Sequence, residues 1–360
     1  MNILHIISAP ASGGAEVYVK DLAKQLSSEG HNVHIAFLSN AENINRDVAY
    51  GQSFLADLEY AGIPTFIIGS ETRRKPWLGA IKIRRYIKNN NIDICHTHLA
   101  YGIIFSSLSS VPVIYTHHTI QPRWGKLTYS IFNKLVNRYV GISEKCSSAL
   151  TGYTNRQVTT INNAVAEEKF KDLIRVREYK TPLIAVMIGR IAPQKDYINL
   201  LNALILLDEK SLKGIKFLIA GEGSEEYKKV LFLFIKKYKL SNHVEFVGNI
   251  QNIPRFLYDA DLFVMSSVWE GLPIALTEAA VSGLPCIVTD VGGCSEVIGK
   301  SDNGALVPPN NPGALANEIE RFISDSSLIN TYSKNAVLNS HRYSIKEAAK
   351  LHVDLYQSLI

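Results

Sequence analysis

Two charged pairs in the rear half of the chain carry the chemistry that this sequence offers. Gly189-Arg190 follows the apolar run Leu183–Ile188, and Lys195 stands five residues later, before a helix-like segment. Arginine presents a planar fork to phosphate oxygens, and lysine a compact point charge. Two such cations at the carboxyl end of a strand suit a ligand that arrives with negative charge. Taken alone, they are equally well a surface arginine and a helix-start lysine. The second pair is Glu270-Gly-Leu-Pro-Ile-Ala-Leu-Thr-Glu278. Pro273 suits the first turn of a helix running to Val281, with Glu270 in the preceding loop and Glu278 inside the helix. Free N–H groups around Gly271–Leu276 would make an anion site. Carboxylates beside it accept hydrogen bonds from sugar and ribose hydroxyls and would repel phosphate. The combination suits a nucleotide-sugar better than a simple phosphate. Alone, this second pattern reads more simply as a capped surface helix.

These residues need a frame. Through residue 165, short β-rich runs alternate with amphipathic ones: Ile3–Ile7, Val33–Leu38, Ile63–Ile68, Ile92–Cys95, Val113–Tyr115, Tyr139–Ile142 and Val158–Ile161. Glu16–Ser28 sets Val17, Val19, Leu22, Ala23 and Leu26 mostly on one helical face, and Gly30 suits its C-terminal cap. The charged stretch Glu167–Lys180 breaks the alternation and reads as a linker. Strands then resume at Leu183–Ile188, Phe217–Ala220, Val244–Val247, Leu262–Met265, Cys286–Thr289 and Leu306–Val307. A helix is expected from Tyr197 to Asp208, another up to Lys239, and helices through the last 50 residues. Strands separated by helices imply βαβ units and parallel sheets. The expected fold class is α/β, with two doubly wound Rossmann-like domains facing each other across a cleft. The boundaries expected are 1–166, a linker at 167–180, 181–340, and a C-terminal helix at 341–360 packing back on the first domain.

Composition limits the alternatives. Hydrophobic residues make up 46% and charged residues 20% of 360, which excludes a disordered chain or a disulfide miniprotein. No apolar run approaches the roughly 18 residues that span a bilayer. The start, Met1–Ser8, lacks a basic region and a cleavage site, and reads as a buried strand and not a signal peptide. Four cysteines without a C-x-x-C pair fit thiols in a reducing cytosol. Charge is uneven. Residues 1–165 hold 16 Lys and Arg against 10 Asp and Glu, whereas 166–360 are close to balance. Glu71–Asn90 alone holds seven bases and one acid. With Trp77, Leu78, Ile81 and Ile87 as an apolar stripe, residues 73–88 form a basic amphipathic helix suited either to an anionic membrane or to packing on its own sheet. No nucleic-acid-binding module accompanies the charge, so no nucleic-acid partner is expected.

The motifs together resemble the retaining glycosyltransferases of the GT-B fold, family 4 (glycosyl transferases group 1). Gly189-Arg190 with Lys195 and Glu270-x7-Glu278 carry the likeness, which extends over nearly the whole chain. Gly13-Gly14-Ala15-Glu16 resembles that family's N-terminal glycine loop, Asp93-Ile-Cys-His96-Thr-His98 its D-x-x-H-x-H strand end, and Thr116-His117-His118 its T-x-H segment. Gly141-Ile-Ser143, Asn162-Asn163, Phe246-Val-Gly248, Gly283-x-Pro285 and Gly292-Gly293-x-x-Glu296 fit further motifs. The chain departs from the pattern at Ser266, where the family usually has Pro, and at Ala164, where it usually has Gly. The resemblance implies that Arg190 and Lys195 bind the donor diphosphate and stabilise its growing charge. It implies that Glu270 holds donor-sugar hydroxyls with backbone groups of Gly271, Leu272, Pro273, Ile274 and Ala275, and that Glu278 takes the ribose. Gly14, Gly189 and Gly248 would let the backbone approach the donor, His118 would reach the sugar, and His96 and His98 would lie on the acceptor side. No metal and no cofactor are expected beyond a nucleotide-sugar co-substrate, taken as a UDP-sugar.

The expected function is therefore sugar transfer to a glycan or lipid-linked glycan acceptor in cell-surface polysaccharide or lipopolysaccharide assembly. It would take place in the cytoplasm, peripherally on the inner membrane face. The alternatives are a nucleotide-sugar epimerase of the same architecture and a non-catalytic nucleotide-sugar-binding protein. A zinc site at His96, His98, His117 and His118 is disfavoured for want of a structural zinc pattern. Asp259-Ala-Asp261 reads as a strand entry and not a D-x-D metal motif. Gly221-Glu-Gly223 lacks the third glycine of a dinucleotide fingerprint.

Overall fold

The computed structural model describes residues 1–360 and folds them as two compact units, Met1–Ala164 with Ile345–Ile360, and Val165–Ser344. In the first, seven strands form one parallel sheet: β1 (Asn2–Ile7), β2 (Asn32–Phe37), β3 (Thr65–Ile67), β4 (Ile94–Thr97), β5 (Val113–His117), β6 (Arg138–Gly141) and β7 (Val158–Thr160). Their order is β3-β2-β1-β4-β5-β6-β7, so the winding reverses between β1 and β4. Helix Gly14–Ser28 buries Val19, Leu22, Ala23 and Leu26. It closes on Gly30 at φ 87°, with Gly30 N–H to Ser27 and His31 N–H to Leu26, a Schellman end that a left-handed glycine permits. The last helix, Ile345–Gln357, belongs to this unit and buries His352 and Tyr356.

The second unit holds β8 (Leu183–Ile188), β9 (Ile215–Ala220), β10 (Val244–Gly248), β11 (Leu262–Met265), β12 (Cys286–Thr289) and β13 (Gly304–Val307), in the order β10-β9-β8-β11-β12-β13 and again parallel. Here the reversal lies between β8 and β11. Strands such as Leu183–Ile188 read as apolar runs because parallel sheets are covered on both faces. Leu183, Ala185 and Met187 join helix residues Leu200, Leu204 and Leu315 in one core. Helix Tyr197–Leu206 stops two residues before the expected end, because Asp208 caps the next helix by accepting Ser211 N–H at 2.7 Å.

The largest correction concerns residues 167–180. They are part of the second unit and not a linker. Their charge is misleading, because Arg177 is fully buried and saturated by backbone carbonyls. Its Nη1 donates to Arg175 (2.8 Å) and Ser282, Nη2 to Leu257 (2.9 Å), and Nε to Ala260 (3.3 Å). Asp261, also buried, accepts from Ile184 N–H at 2.9 Å and pairs with Lys180 at 3.1 Å. No helix is long and apolar enough to cross a membrane.

Candidate active site

The second unit gathers its polar residues at the carboxyl edge of its sheet, centred on the β8/β11 switch point. Parallel strands diverge there and leave room for a ligand. Gly189 ends β8, and its missing Cβ makes space for Lys195, whose Cε would lie 2.7 Å from that atom. A short 3-10 turn, Pro193–Lys195, and left-handed Asp196 then start helix Tyr197–Leu206. Across the switch point, β11 runs into Ser266, Ser267 and the loop to Glu270. Lys195 Nζ meets Glu270 Oε1 at 2.6 Å, with the side chains only 13% and 8% exposed. Ser267 Oγ donates to the same oxygen at 2.7 Å, and Thr289 Oγ1 holds the Ser267 carbonyl at 2.7 Å. Arg190 is exposed at the strand end.

One residue from each charged pattern, Lys195 and Glu270, is thus in direct contact, although they are 75 positions apart. The hydroxyls around them were missed. Ser266, flagged in the sequence only as a departure from the family's Pro, donates to the carbonyls of Lys195 (3.0 Å) and Asp196 (2.8 Å). It therefore fixes the backbone that carries the lysine. Gln194 reinforces the contact by donating to Trp269 O at 3.0 Å.

Helix Ile274–Val281 begins immediately after this loop. Pro273 is its N-cap and not a first-turn residue, because its ψ of 121° is extended. Gly271, Leu272, Pro273 and Ile274 are buried, Ala275 is half-buried, and Glu278 lies half-buried on the second turn. Gly292, at φ 54°, closes the loop from behind. A Cβ there would collide with the Glu270 carbonyl. Gly248 ends β10 at φ 74°, two strands from β8, and receives Gly221 N–H at 2.8 Å.

In the first unit, Gly14 is the first residue of its helix, with Gly13 as N-cap. Glu16 folds back to accept a hydrogen bond from Ser8 Oγ. The histidines make a buried chain at the β1/β4 switch point. His5 Nδ1 lies 3.0 Å from His98 Nε2, and His98 Nδ1 lies 3.0 Å from His118 Nε2. His96 bonds to Tyr356 (2.6 Å) and Thr116 (2.7 Å), and His352 to Tyr18 (3.0 Å). His5 was not foreseen, because a single histidine inside an apolar strand carries no spacing signal. His117 points to Tyr115 and Thr119. His5, His96 and His98 each bring a ring nitrogen within 4.8 Å of the others. Both nitrogens of His96 and of His98 already have hydrogen-bond partners, which a metal ion would have to displace.

Burial keeps these rings neutral. It holds His5, His118 and His352 down to about 3 and His117 to about 4, and His96 and His98 well below the usual range; at His96, His98, His118 and His352 neighbouring histidines add to the effect. An unfolded histidine takes up its proton near pH 6.5. Between that pH and the folded values the unfolded chain binds more protons, so acid destabilises the folded chain, and stability is complete above about pH 6.5. Each ring contributes up to about 1.4 kcal/mol per pH unit in that window. The urea midpoint of unfolding is expected to fall steeply from pH 7 to pH 5, and a flat profile would refute the neutral cluster.

Comparison with known proteins agrees with this architecture. Residues 12–169 match the model for Glycosyltransferase Family 4, and residues 168–338 that for Glycosyl transferases group 1. The chain belongs to the GT-B family 4 glycosyltransferases. It is 27% identical, over 78% of its length and 79% of the relative's, to the Escherichia coli UDP-Gal:alpha-D-GlcNAc-diphosphoundecaprenol alpha-1,3-galactosyltransferase. It is 22% identical, over 100% of its length and 99% of the relative's, to the Escherichia coli O-antigen biosynthesis glycosyltransferase WbnH. Among solved structures, Anabaena Alr3699/HepE in complex with UDP superposes with a TM-score of 0.81 at 21% identity, covering 100% of both chains. Sucrose-phosphate synthase from Thermosynechococcus elongatus gives 0.81 at 18%, covering 100% and 99%. These two show the fold.

Proposed function

We propose that this glycosyltransferase is a retaining, metal-independent enzyme. It takes a sugar from a UDP-sugar and passes it to a hydroxyl of a lipid-linked glycan in cell-surface polysaccharide assembly. The observation that carries the reading is the Lys195–Glu270 pair at the β8/β11 switch point, beside exposed Arg190 and the start of helix Ile274–Val281. Lysine has three donors, so Nζ can keep Glu270 and still reach a phosphate oxygen. The Arg190 fork takes a second. Together they stabilise the charge that grows on the diphosphate as the glycosidic bond lengthens. Glu270 Oε1 is shared by Lys195 and Ser267, and Oε2 accepts a donor-sugar hydroxyl. Glu278, on helix Ile274–Val281, takes the ribose, and Gly189 and Gly248 let the protein backbone approach the donor at the strand ends. No carboxylate is assigned as a nucleophile. The acceptor attacks from the face the nucleotide leaves, and the departing phosphate takes the acceptor's proton. Gly14 is assigned to the donor, His118 to the donor sugar, and His96 and His98 to the acceptor side, with the imidazoles neutral. The Escherichia coli galactosyltransferase named above supports a UDP-sugar donor and an undecaprenyl-linked acceptor, and HepE complexes with UDP and UDP-glucose support the base. The basic stretch 73–88 would hold the chain at an anionic membrane in the cytoplasm.

A melting-shift screen against UDP-, GDP- and ADP-sugars tests the donor. A ligand at about a hundred times its Kd adds about 2.7 kcal/mol of stability, so UDP-sugars alone are expected to raise Tm by several degrees. The shift should survive EDTA. A shift with GDP- or ADP-sugars only would overturn the base, and loss in EDTA would overturn metal independence. Formation of an epimer from labelled donor without acceptor would favour an isomerase.

A further inference from the structure

Helix Glu225–Lys237 of the second unit is more apolar than its own core requires. It follows β9 and leads into β10, the outermost strand of that sheet. Six apolar residues stand in a row, from Val230 to Ile235. Leu231 and Ile235 are buried, and Phe234 packs against the same core. Phe232 is exposed, but its ring stands edge-on to Phe246 of β10 at 5.2 Å. Val230 and Leu233 remain, 52% and 59% exposed. One exposed leucine is ordinary. Two apolar residues at i and i+3, inside a run of this kind, make an unpartnered stripe.

Charge extends the stripe at both ends. Glu226, Val230, Leu233 and Lys237 follow one another at steps of four, three and four, so they lie along one line of the helix. Glu226 and Lys237 are exposed, and neither joins an ion pair within the chain, whereas Glu222 and Glu225 are engaged by Lys228 at 3.0 and 2.8 Å. Turned end for end, the line is its own complement. The acid and the base stand equally far from its midpoint, between Leu231 and Phe232, and so do the two apolar residues. A twofold contact between identical chains requires a surface with this property.

We propose that this face of helix Glu225–Lys237 pairs antiparallel with the same face of a second copy of the chain. Val230 of each copy packs on Leu233 of the other, and Glu226 of each meets Lys237 of the other at the two ends. Antiparallel helices also bring opposite dipole ends together. Lys229 and Lys236 flank the stripe and extend into solvent. One helix against its copy buries less than the ~1,200 Å² of a stable interface, so the dimer is transient, with a Kd of about 10–100 µM. The inference is independent of the donor and acceptor readings.

Sedimentation velocity of the full chain over a concentration series tests the pairing. The weight-average mass is expected to rise from monomer toward dimer across that range. Val230→Ser with Leu233→Ser should leave a monomer throughout, with Tm unchanged, since both side chains are exposed. Glu226→Lys and Lys237→Glu each set like charges against each other at both ends, and each should weaken the dimer about tenfold. An equimolar mixture of those two variants should regain wild-type association, because the cations of one copy then face the acids of the other at both ends. A monomer at every concentration overturns the proposal, and so does a dimer that survives Val230→Ser with Leu233→Ser. Wild-type association by either charge variant alone, or no recovery in their mixture, also overturns it. A monomer that sediments instead with lipid vesicles, and loses them with Leu233→Ser, assigns the stripe to a membrane and overturns the pairing.

Discussion

Lys195→Ala is expected to lower kcat by about 10²–10³-fold, the usual consequence of deleting one preorganised donor at a centre of developing charge. Lys195 Nζ lies 2.6 Å from Glu270 Oε1 in a nearly water-free position, so the deletion also leaves a buried carboxylate without its cation. Breaking such a pair costs about 3–5 kcal/mol of stability. The two losses separate in a companion variant. Glu270→Gln keeps an oxygen for the sugar hydroxyl but removes a negative charge beside the diphosphate. It should bind UDP at least as tightly as wild type while transferring sugar more slowly. Lys195→Ala should weaken UDP binding and slow transfer together. Titration with UDP and single-turnover transfer, both below the lowered Tm, distinguish the roles. Near-normal transfer by Lys195→Ala, or equal loss of UDP affinity in both variants, would sink the assignment.

Arg177→Ala is expected to be the most destabilising single substitution outside the site. The guanidinium has no exposure, and its donors satisfy the carbonyls of Arg175, Leu257, Ala260 and Ser282. Burial, and then the neighbouring Arg175, pull its pKa down to about 10, so it stays charged at neutral pH. Alanine would leave a cavity and several orphaned buried acceptors, each costing about 1–3 kcal/mol. A total of about 4 kcal/mol, read as a fall in the urea midpoint with an unchanged slope, is the expected result. Arg177→Met should recover part of the packing and little of the hydrogen bonding. A loss below about 1 kcal/mol for Arg177→Ala would show that the carbonyls find other partners.

Arg177 also shows where reading by composition stops. A run such as Glu167–Lys180 looks solvated because charge is usually exposed. What makes Arg177 buried is a ring of carbonyls, three of the four from residues 80 to 105 positions away, and no local pattern encodes that ring. Asp208 teaches the converse. Its side chain is a local helix signal, and it ends the preceding helix where a longer apolar periodicity would have continued.

The sequence by itself determined the alternation of strands and helices, and with it two parallel sheets, because apolar runs of strand length between amphipathic segments have few other ways to be covered on both faces. It also offered Arg190, Lys195, Glu270 and Glu278 as candidates, since charged residue types near strand ends and helix starts are visible one residue at a time. Tertiary structure alone decided that Lys195 and Glu270 touch, that Ser266 and Ser267 hold them, and that His5 joins His98 and His118. The Lys195–Glu270 and His5–His98 contacts close across a sheet's switch point, where neighbouring strands come from distant parts of the chain and pairing follows from winding order, not from spacing.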